Sequence, residues 1–478
     1  MAMLGKRRPP RPASGHSGLA RSPGAKAPPS ESAAKSDGAA PLVIERLAHD
    51  GRGVAHNAAG KTVFVSQALP GEQVVVGVHV TRKRFDEAHI KMQLTTSSQR
   101  VTPPCPHFGQ CGGCDLQHLD ITAQRAHKRE VLTELMARQG ITLDAVAAIN
   151  GSREGYRRRA RLGVKVDGSG NVLLGFRAPH SHRLVDIQQC HVLVPQLQSL
   201  IAPLRQLLAT LEAPRLVGHI ELVATENETL ILVRQLKEHT QDNSRWRRFA
   251  DQQRVRLGAW VGRDAPTLHW VGAAPQLVDS LTLAGWGNDR GVTQSEAVLN
   301  LHFSPGDFLQ VNAEVNQKMV AQVVAWLAPK KGQPVVDLFA GIGNFSLPLA
   351  AAGARVYAVE GNPAMVERIM ANADYNQLTV GAQRADLNDA ATVNVLLSEQ
   401  PIEALVLDPP RNGAEVICQA VGRHKIPKIA YISCDPATLA RDAAHLVHAG
   451  YRIKQVAVAD MFLHTAHMET LMLFEYEG

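Results

Sequence analysis

Residues 333–350 read QPVVDLFAGIGNFSLPLA, and this stretch sets the fold of the second half of the chain. Its apolar start has the length of a buried strand, and Gly341 and Gly343 then let a turn pass close to a ligand before a helix begins. The same alternation recurs in ARVYAVE (354–360), AQRAD (382–386), EALVLDPP (403–410) and KIAYISC (428–434), and the chain closes with YRIKQVAVA (451–459) and TLMLFEYE (470–477). Buried apolar strands alternating with helical stretches predict an α/β domain built on a doubly wound, mostly parallel sheet. Ligands of such sheets bind at the carboxyl ends of the strands, where the distinctive residues of this chain fall. Nineteen residues after Gly341 the next strand ends at Glu360, an acid placed to accept hydrogen bonds from ribose hydroxyls. A dinucleotide site would favour a third glycine where this chain has Ser346, so the turn suits an adenosine cofactor without a pyrophosphate, such as S-adenosylmethionine. The plainer alternative is a tight turn with a surface acid.

Two further strand ends carry chemistry. In LDPPRNG (407–413), Asp408 precedes two prolines that fix the backbone beyond the sheet, so the acid can serve as a rigid acceptor for a planar substrate. In YISCDPATLARD (431–442), Cys434 stands at the tip of the sheet beside the expected cofactor. A free cysteine is usually packing, but its place at this strand end points to a nucleophile. A methyltransferase needs one when its target is carbon 5 of uracil, which is too poor a nucleophile to attack a sulfonium methyl group. Thiolate addition at carbon 6 makes carbon 5 electron-rich, and a base must later remove the carbon 5 proton. MFLHTAHMET (461–470) offers Glu469, His464 and His467 for that task, and the residues alone do not choose among them.

Outward from this half, residues 99–304 read as a cysteine-rich loop followed by an α+β domain. The loop TPPCPHFGQCGGCDLQHL (102–119) gathers Cys105, Cys111 and Cys114, while Cys190 lies far downstream; thiols so spaced suit a metal site better than a disulfide in a reducing compartment. A helix follows in ITAQRAHKREVLTELMARQG (121–140), stopped by Gly140. Mostly strands come next, and GYRRRARLGV places Arg157, Arg159 and Arg161 on one strand face and Arg158 on the other, a set suited to a phosphate backbone or to a solvated sheet surface. Residues 41–98 are short valine-rich runs broken by turns, as in a small barrel of the oligonucleotide-binding kind, with Arg82, Lys83, Arg84 and Phe85 combining charge and an aromatic ring.

The chain of 478 residues, 45% hydrophobic and 20% charged, is too long for one core. Of its net charge of +7, residues 1–40 supply most, with seven Lys/Arg against two acids; rich in Pro, Gly, Ser and Ala, they read as a disordered basic tail. No apolar run reaches the roughly 20 residues of a membrane span, and MAMLGKRRPPRP lacks the apolar stretch of a signal peptide. A soluble, cytoplasmic protein with no membrane partner is expected.

Taken together, FLQVN (308–312), DLFAGIGNFSLPLA, LDPPRNG, YISCDPATLARD and HTAHMET, in that order, resemble the RNA uracil-5-methyltransferase family in its bacterial 23S ribosomal RNA branch. The resemblance covers nearly everything after the tail. It implies a TRAM barrel over 41–98 that binds RNA, and a class I Rossmann-like methyltransferase domain over 305–478. It implies Cys434 as nucleophile and Glu469 as base, and Gln310, Phe339, Asn344, Glu360, Asp386 and Asp408 as cofactor-binding residues, Gln310 and Asp408 also reaching the uracil. It assigns Cys105, Cys111, Cys114 and Cys190 to a [4Fe-4S] cluster, although by spacing alone zinc would satisfy the same thiolates. The implied partner is 23S ribosomal RNA, methylated at uridine 1939 by a monomer. Ala340, Asp435 and Leu463 depart from the family pattern without removing a reacting group. Other readings are the same chemistry on another 23S uridine or on the T-loop of transfer RNA, an RNA-binding protein without catalysis, and an amino-methyltransferase with no use for Cys434.

Overall fold

The computed structural model describes residues 40–283 and 297–478. The expected basic tail therefore lies, except for Ala40, outside the described residues. Among those described, no helix is long and apolar enough to cross a membrane.

Residues 42–93 form a six-stranded sheet. Its two outermost strands, Leu42–Val43 and Arg46–Leu47, are separated by only two residues, so the sheet must roll up until its edges meet. Alternation in Thr62–Ser66 turns Val63 and Val65 inward, onto Ile44, Ala55, Val74 and Ala88. The buried Glu72 carboxylate accepts from Leu69 N and from Arg100 Nε at 2.8 and 2.6 Å, tying the roll to the segment that follows.

A seven-stranded sheet spans residues 159–271, and helices Ile201–Thr210 and Thr240–Gln253 cover one of its faces. Leu204, Leu208, Trp246 and Phe249 pack there on Leu162, Ile220, Leu222 and Ile231. Val223, Leu230 and Leu232 of the opposite face share a core with the C-terminal half. The expected alternation of the arginines is present, with a different consequence. Arg158 is turned inward and forms a two-pronged pair with Asp279, while Arg159 is held by the Glu221 carboxylate and the Asp307 carbonyl. Arg161 is the arginine whose side chain is mostly exposed, so a free three-arginine face is not what this strand presents.

Apart from a two-stranded ladder of Leu277–Leu283 with Ala297–Phe303 and short helical turns at Pro195–Gln198 and Pro214–Leu216, the remaining elements build the larger α/β layer. In chain order they are α1 (Ile121–Arg138), β1 (Ala147–Ile149), α2 (Ala313–Leu327), β2 (Pro334–Leu338), α3 (Ser346–Ala351), β3 (Arg355–Glu360), α4 (Pro363–Tyr375), β4 (Val380–Arg384), α5 (Ala390–Ser398), β5 (Ala404–Leu407), α6 (Glu415–Val421), β6 (Lys428–Ser433), α7 (Pro436–His448), β7 (Tyr451–Ala459) and β8 (Glu469–Tyr476). The strand order is β4-β3-β2-β5-β6-β8-β7-β1. From β4 to β6 all pairings are parallel; β8 enters antiparallel between β6 and β7. The chain order reverses across β2, which makes the carboxyl end of β2 the topological switch point. Although they precede the central sheet in sequence, α1 and β1 join this layer: Val131, Leu132 and Met136 pack with Leu439 and Leu446 of α7, and β1 pairs with β7.

The Arg158–Asp279 pair, about 6% exposed on each side, is the deepest charge pair of the central region. Asp279→Ala strands a buried guanidinium and is expected to cost about 3–5 kcal/mol, read as a lower denaturant midpoint; Arg158→Met with Asp279→Leu should recover much of that loss.

Candidate active site

Strand register brings Glu360, Asp408, Cys434 and Glu469 to one face at one end of the sheet. Asp337 of β2 pairs with Ala358 and with Val406, Val406 pairs with Ala430, and Ala430 with Leu473. Side chains alternate with a period of two, so Glu360, Asp408, Cys434 and Glu469 continue the same face of the sheet as Asp337. The apolar residues of that face, Val335, Val356, Val406, Ile432 and Leu471, share one core with Val315, Met319 and Val323 of α2. Where that apolar face runs out at the strand ends, the acids and the thiol begin.

The antiparallel entry of β8 sets the closest relation. Ser433 is paired with Thr470, so one further step of the ladder sets Cys434 opposite Glu469. Cys434 lies just ahead of α7, whose N-cap Asp435 accepts from Ala437 N and Thr438 N at 3.0 and 3.1 Å, with Pro436 in the first turn. Burial pushes the Cys434 thiol up to about 11; the nearby Glu469 and Asp408 add to this, while the Arg411 guanidinium opposes it. Glu469 is 4% exposed, and burial together with Asp408 raises its carboxyl well above the usual range. Asp408 is itself pushed up to about 7 by loss of hydration. The three groups thus sit in a poorly hydrated, acid-rich recess in which a neutral thiol and protonated carboxyls are favoured.

The cofactor turn at β2 is strained in the way its glycines predict. Phe339, Gly341 and Gly343 all have positive φ, at 63°, 59° and 96°. A Cβ on Gly343 would stand 2.2 Å from Leu347 Cδ1, whereas a Cβ on Gly341 would meet nothing within 4 Å, so this side of the turn is open. Glu360 is fixed by two backbone donors, Gly341 N at 3.1 Å and Asn362 N at 3.0 Å. Asn344 exchanges amide hydrogen bonds with Asn316 of α2 at 2.9 and 3.0 Å, pinning the turn to that helix. Gln310 is held from behind, its carbonyl accepting from Arg158 Nε at 2.8 Å. Asp386 lies beyond β4, beside the strand that carries Glu360, but it is exposed and its carboxylate caps Asn388 N at 2.9 Å. Among the described residues, no side-chain hydrogen bond joins Asp386 to the other predicted site residues.

The 409–414 segment, which supplies Arg411, is braced from α7. Asp442, fully buried, accepts from Ala414 N at 2.7 Å and from the Tyr431 hydroxyl at 2.6 Å, and Arg441 donates to the Asn412 carbonyl at 2.9 Å. In the sequence Arg411, Asn412, Tyr431, Arg441 and Asp442 are marked only by their place within LDPPRNG and YISCDPATLARD, because a brace between two strand-end loops leaves no local pattern. His464, one of the candidate bases, is committed elsewhere: its Nε2 stands 3.0 Å from the Arg153 carbonyl and its Nδ1 3.3 Å from the Gln124 amide.

A cavity of about 560 Å³ opens beside Cys434, with Gly51, Arg52 and Gln67 of the N-terminal barrel and Phe108 and Cys114 of the cysteine-rich loop on its other walls. A second cavity, of about 300 Å³, shares Cys111, Cys114 and Arg411 with the first and is lined by all four of Cys105, Cys111, Cys114 and Cys190. Burial pushes the Cys114 thiol up to about 12 and Cys190 up to about 11, and neighbouring thiols of the set add to both. The loop is docked on two sides: Gly112 N donates to the Arg177 carbonyl, and Asp115 N and Leu116 N to the His464 carbonyl. Among the described residues, no group of three or more His, Cys, Asp or Glu stands close enough together to hold a single metal ion. The four thiols surround a cavity instead of meeting at a point.

Comparison with known proteins is consistent with this architecture. Residues 120–477 match the family described as tRNA (Uracil-5-)-methyltransferase, and residues 41–91 match the TRAM domain. The 23S rRNA (uracil(1939)-C(5))-methyltransferase RlmD of Halomonas elongata is 55% identical over 100% of this chain and 97% of its own length. The protein of the same name from Pseudomonas putida is 42% identical over 91% of this chain and 93% of its own. The crystal structure of Pyrococcus abyssi tRNA (uracil-54, C5)-methyltransferase in complex with S-adenosyl-L-homocysteine superposes with a TM-score of 0.67 at 22% identity, covering 91% of this chain and all of that one, and so shares the fold. With three quarters of its length matched by the family and a 55% identical relative spanning it whole, the chain belongs to the tRNA (uracil-5-)-methyltransferase family.

Proposed function

We propose that this protein methylates carbon 5 of a uridine in 23S ribosomal RNA, the uridine 1939 named for its bacterial relatives, with S-adenosylmethionine as donor, Cys434 as nucleophile and Glu469 as base. One observation carries the reading: the register that sets Cys434 opposite Glu469, on the face that Glu360 and Asp408 also occupy. The cofactor fits the site, because the open side of Gly341 leaves room for it and Glu360 is already oriented as an acceptor for a ribose diol. Phe339, Asn344, Gln310 and Asp408 would complete the cofactor site, and Asp386 would take part only from the neighbouring strand end. When bound, S-adenosylmethionine supplies an electrophilic methyl group on a cationic sulfur, and the acidic recess favours a cation.

The chain's own residues do the rest. Cys434 loses its thiol proton to water and its Sγ adds as the thiolate to carbon 6 of the uracil; the C5–C6 double-bond pair shifts into the ring toward C4 and the carbonyl pair moves out to O4, leaving carbon 5 electron-rich. Asp408, held by its two prolines, and Gln310 orient the ring. Once carbon 5 carries its new methyl group, Glu469 in its ionised form takes the carbon 5 proton on a carboxylate oxygen, its raised proton affinity favouring the transfer. The C–H pair restores the double bond to carbon 6, and the carbon–sulfur bond breaks to return the Cys434 thiolate. The first cavity gives the flipped nucleotide a route to Cys434 past the barrel, which fits an RNA-binding role for residues 41–98. The reaction needs residues of one chain alone, so a monomer acting in the cytoplasm suffices.

For the four cysteines we infer a [4Fe-4S] cluster. Buried thiols that raise one another's affinity for protons are relieved by binding iron as thiolates, and a four-iron cluster takes one thiolate at each corner, as thiols spread around a cavity allow. Its role here is to fix the loop that walls the active site.

Three measurements test these assignments. Incubation with a 23S fragment carrying 5-fluorouridine and S-adenosylmethionine should give a protein–RNA adduct by intact mass, lost in Cys434→Ala; an adduct on transfer RNA alone would move the target, and none on any RNA would sink the covalent mechanism. Because Cys434 is raised to about 11, its thiolate fraction grows about tenfold per pH unit below that value, so single-turnover adduct formation should accelerate from pH 7 to 9 and slow at every pH in Arg411→Ala. Anaerobic purification should yield about four irons and four sulfides per chain, falling sharply in Cys114→Ser, whereas stoichiometric zinc would replace the cluster assignment.

A further inference from the structure

Glu469 opens β8, so its position depends on where the preceding loop, residues 460–468, delivers the chain. That loop is gripped mainly by α1 and by Tyr156. Arg125 pairs with Asp460 at 2.7 Å, Lys128 Nζ donates to the Phe462 carbonyl at 2.9 Å, and the Tyr156 hydroxyl donates to the Leu463 carbonyl at 2.7 Å. The tightest convergence is on His464. It is 5% exposed and has a φ of 67°, a conformation that L residues hold only where their surroundings dictate it. Its N–H donates to Gln124 Oε1 at 3.0 Å, and its carbonyl accepts from Asp115 N and Leu116 N at 2.9 and 3.0 Å. A carbonyl only accepts, so ring Nε2 carries the proton donated to Arg153 O, and Nδ1 packs 3.3 Å from the Gln124 amide nitrogen. Gln124, fully buried, also donates to the Leu116 and Leu119 carbonyls at 2.9 and 2.8 Å.

We propose that His464 and Gln124 form a latch that positions the Glu469 carboxylate, making both positioning residues for the proton-removal step. This rests on the reading of Glu469 as the base. The latch joins α1, the cysteine-bearing loop and the 153 turn to a residue five positions before Glu469. Cys434 is delivered separately, by β6 and the N-cap of α7. Loosening the latch therefore strikes elimination and spares thiolate addition. In the blocked state carbon 6 stays bonded to Cys434 Sγ and carbon 5 keeps both its proton and its new methyl group, because no base stands in reach to take the proton and send its electron pair into the ring.

His464→Asn and Gln124→Met test this. Asparagine adopts the left-handed conformation readily, so the first variant keeps the backbone bonds and loses the ring contacts. On ordinary uridine RNA, kcat should fall about 100-fold in each, the scale of an ångström-sized misplacement, with KM for RNA falling in step so that kcat/KM stays near the wild-type value. A denaturation-resistant protein–RNA band, absent in the wild type and bearing one added methyl by mass, should accumulate, as it should in Glu469→Gln. A fall in kcat without that band, or kcat at the wild-type level in both variants, overturns the latch. If the wild type forms no adduct on 5-fluorouridine RNA, the reading of Cys434 fails and takes the latch with it; a normal wild-type adduct with no accumulation in either variant overturns the latch alone.

Discussion

The antiparallel insertion of β8 between β6 and β7 is the constraint on which the rest of this structure depends. A purely parallel layer would send every strand end to the same edge as a loop leading into a helix. By running the other way, β8 begins at the edge where β6 finishes, so a residue at the start of one strand meets a residue just past the end of the other. Ser433 and Thr470 are the last pair before that edge, and everything proposed for Cys434 and Glu469 follows from their register. A slip of one residue would turn Glu469 to the opposite face, into the core that holds Tyr431, Met472 and Phe474.

That edge is costly to maintain, because it collects carboxyl groups in a recess that water scarcely reaches. Burial pushes up Glu469, Asp408 and the fully buried Asp337, the last two to about 7, and Asp408 further disfavours the charged forms of the other two. The surrounding structure answers with fixed geometry. Asp337 accepts from the Ser346 hydroxyl, Glu360 from two backbone N–H groups, and the Asp-Pro-Pro-Arg loop is tied down through Asp442. A cationic cofactor fits a site of this kind because it arrives where negative charge is otherwise unfavourable.

The non-catalytic parts enclose the same edge. The N-terminal barrel, the cysteine-rich loop and the 460–468 loop each contribute a wall to the cavity beside Cys434. The cysteine-rich loop is bonded both to the central sheet through Gly112 and to the catalytic half through His464, so it links regions far apart in sequence. Helix α1 shows the same economy: Val131, Leu132 and Met136 pack into the catalytic layer, while its polar residues Gln124, Arg125 and Lys128 hold the loop that leads to Glu469.

By itself the sequence determined the strand–helix alternation of residues 333–477, the turn at Gly341 and Gly343 and the acid at Glu360, because each depends on local periodicity or on a backbone conformation open to glycine. It also picked out Cys434 and Asp408 as strand-end residues, since a strand end is a local property. It could not choose between Glu469, His464 and His467 from composition, because the choice depends on which of them the ladder turns toward Cys434 and which is consumed by bonds to Gln124 and Arg153. It offered Arg157, Arg159 and Arg161 as a phosphate face or a solvated sheet surface, but Glu221, 62 residues downstream, takes Arg159, and Asp279, 121 residues downstream, takes Arg158 on the other face. Nor could it show that α1 braces the 460–468 loop, across more than 330 residues of chain. Local pattern fixes what an element is; which side chains meet across two elements depends on register and packing, and these exist only once the chain has folded.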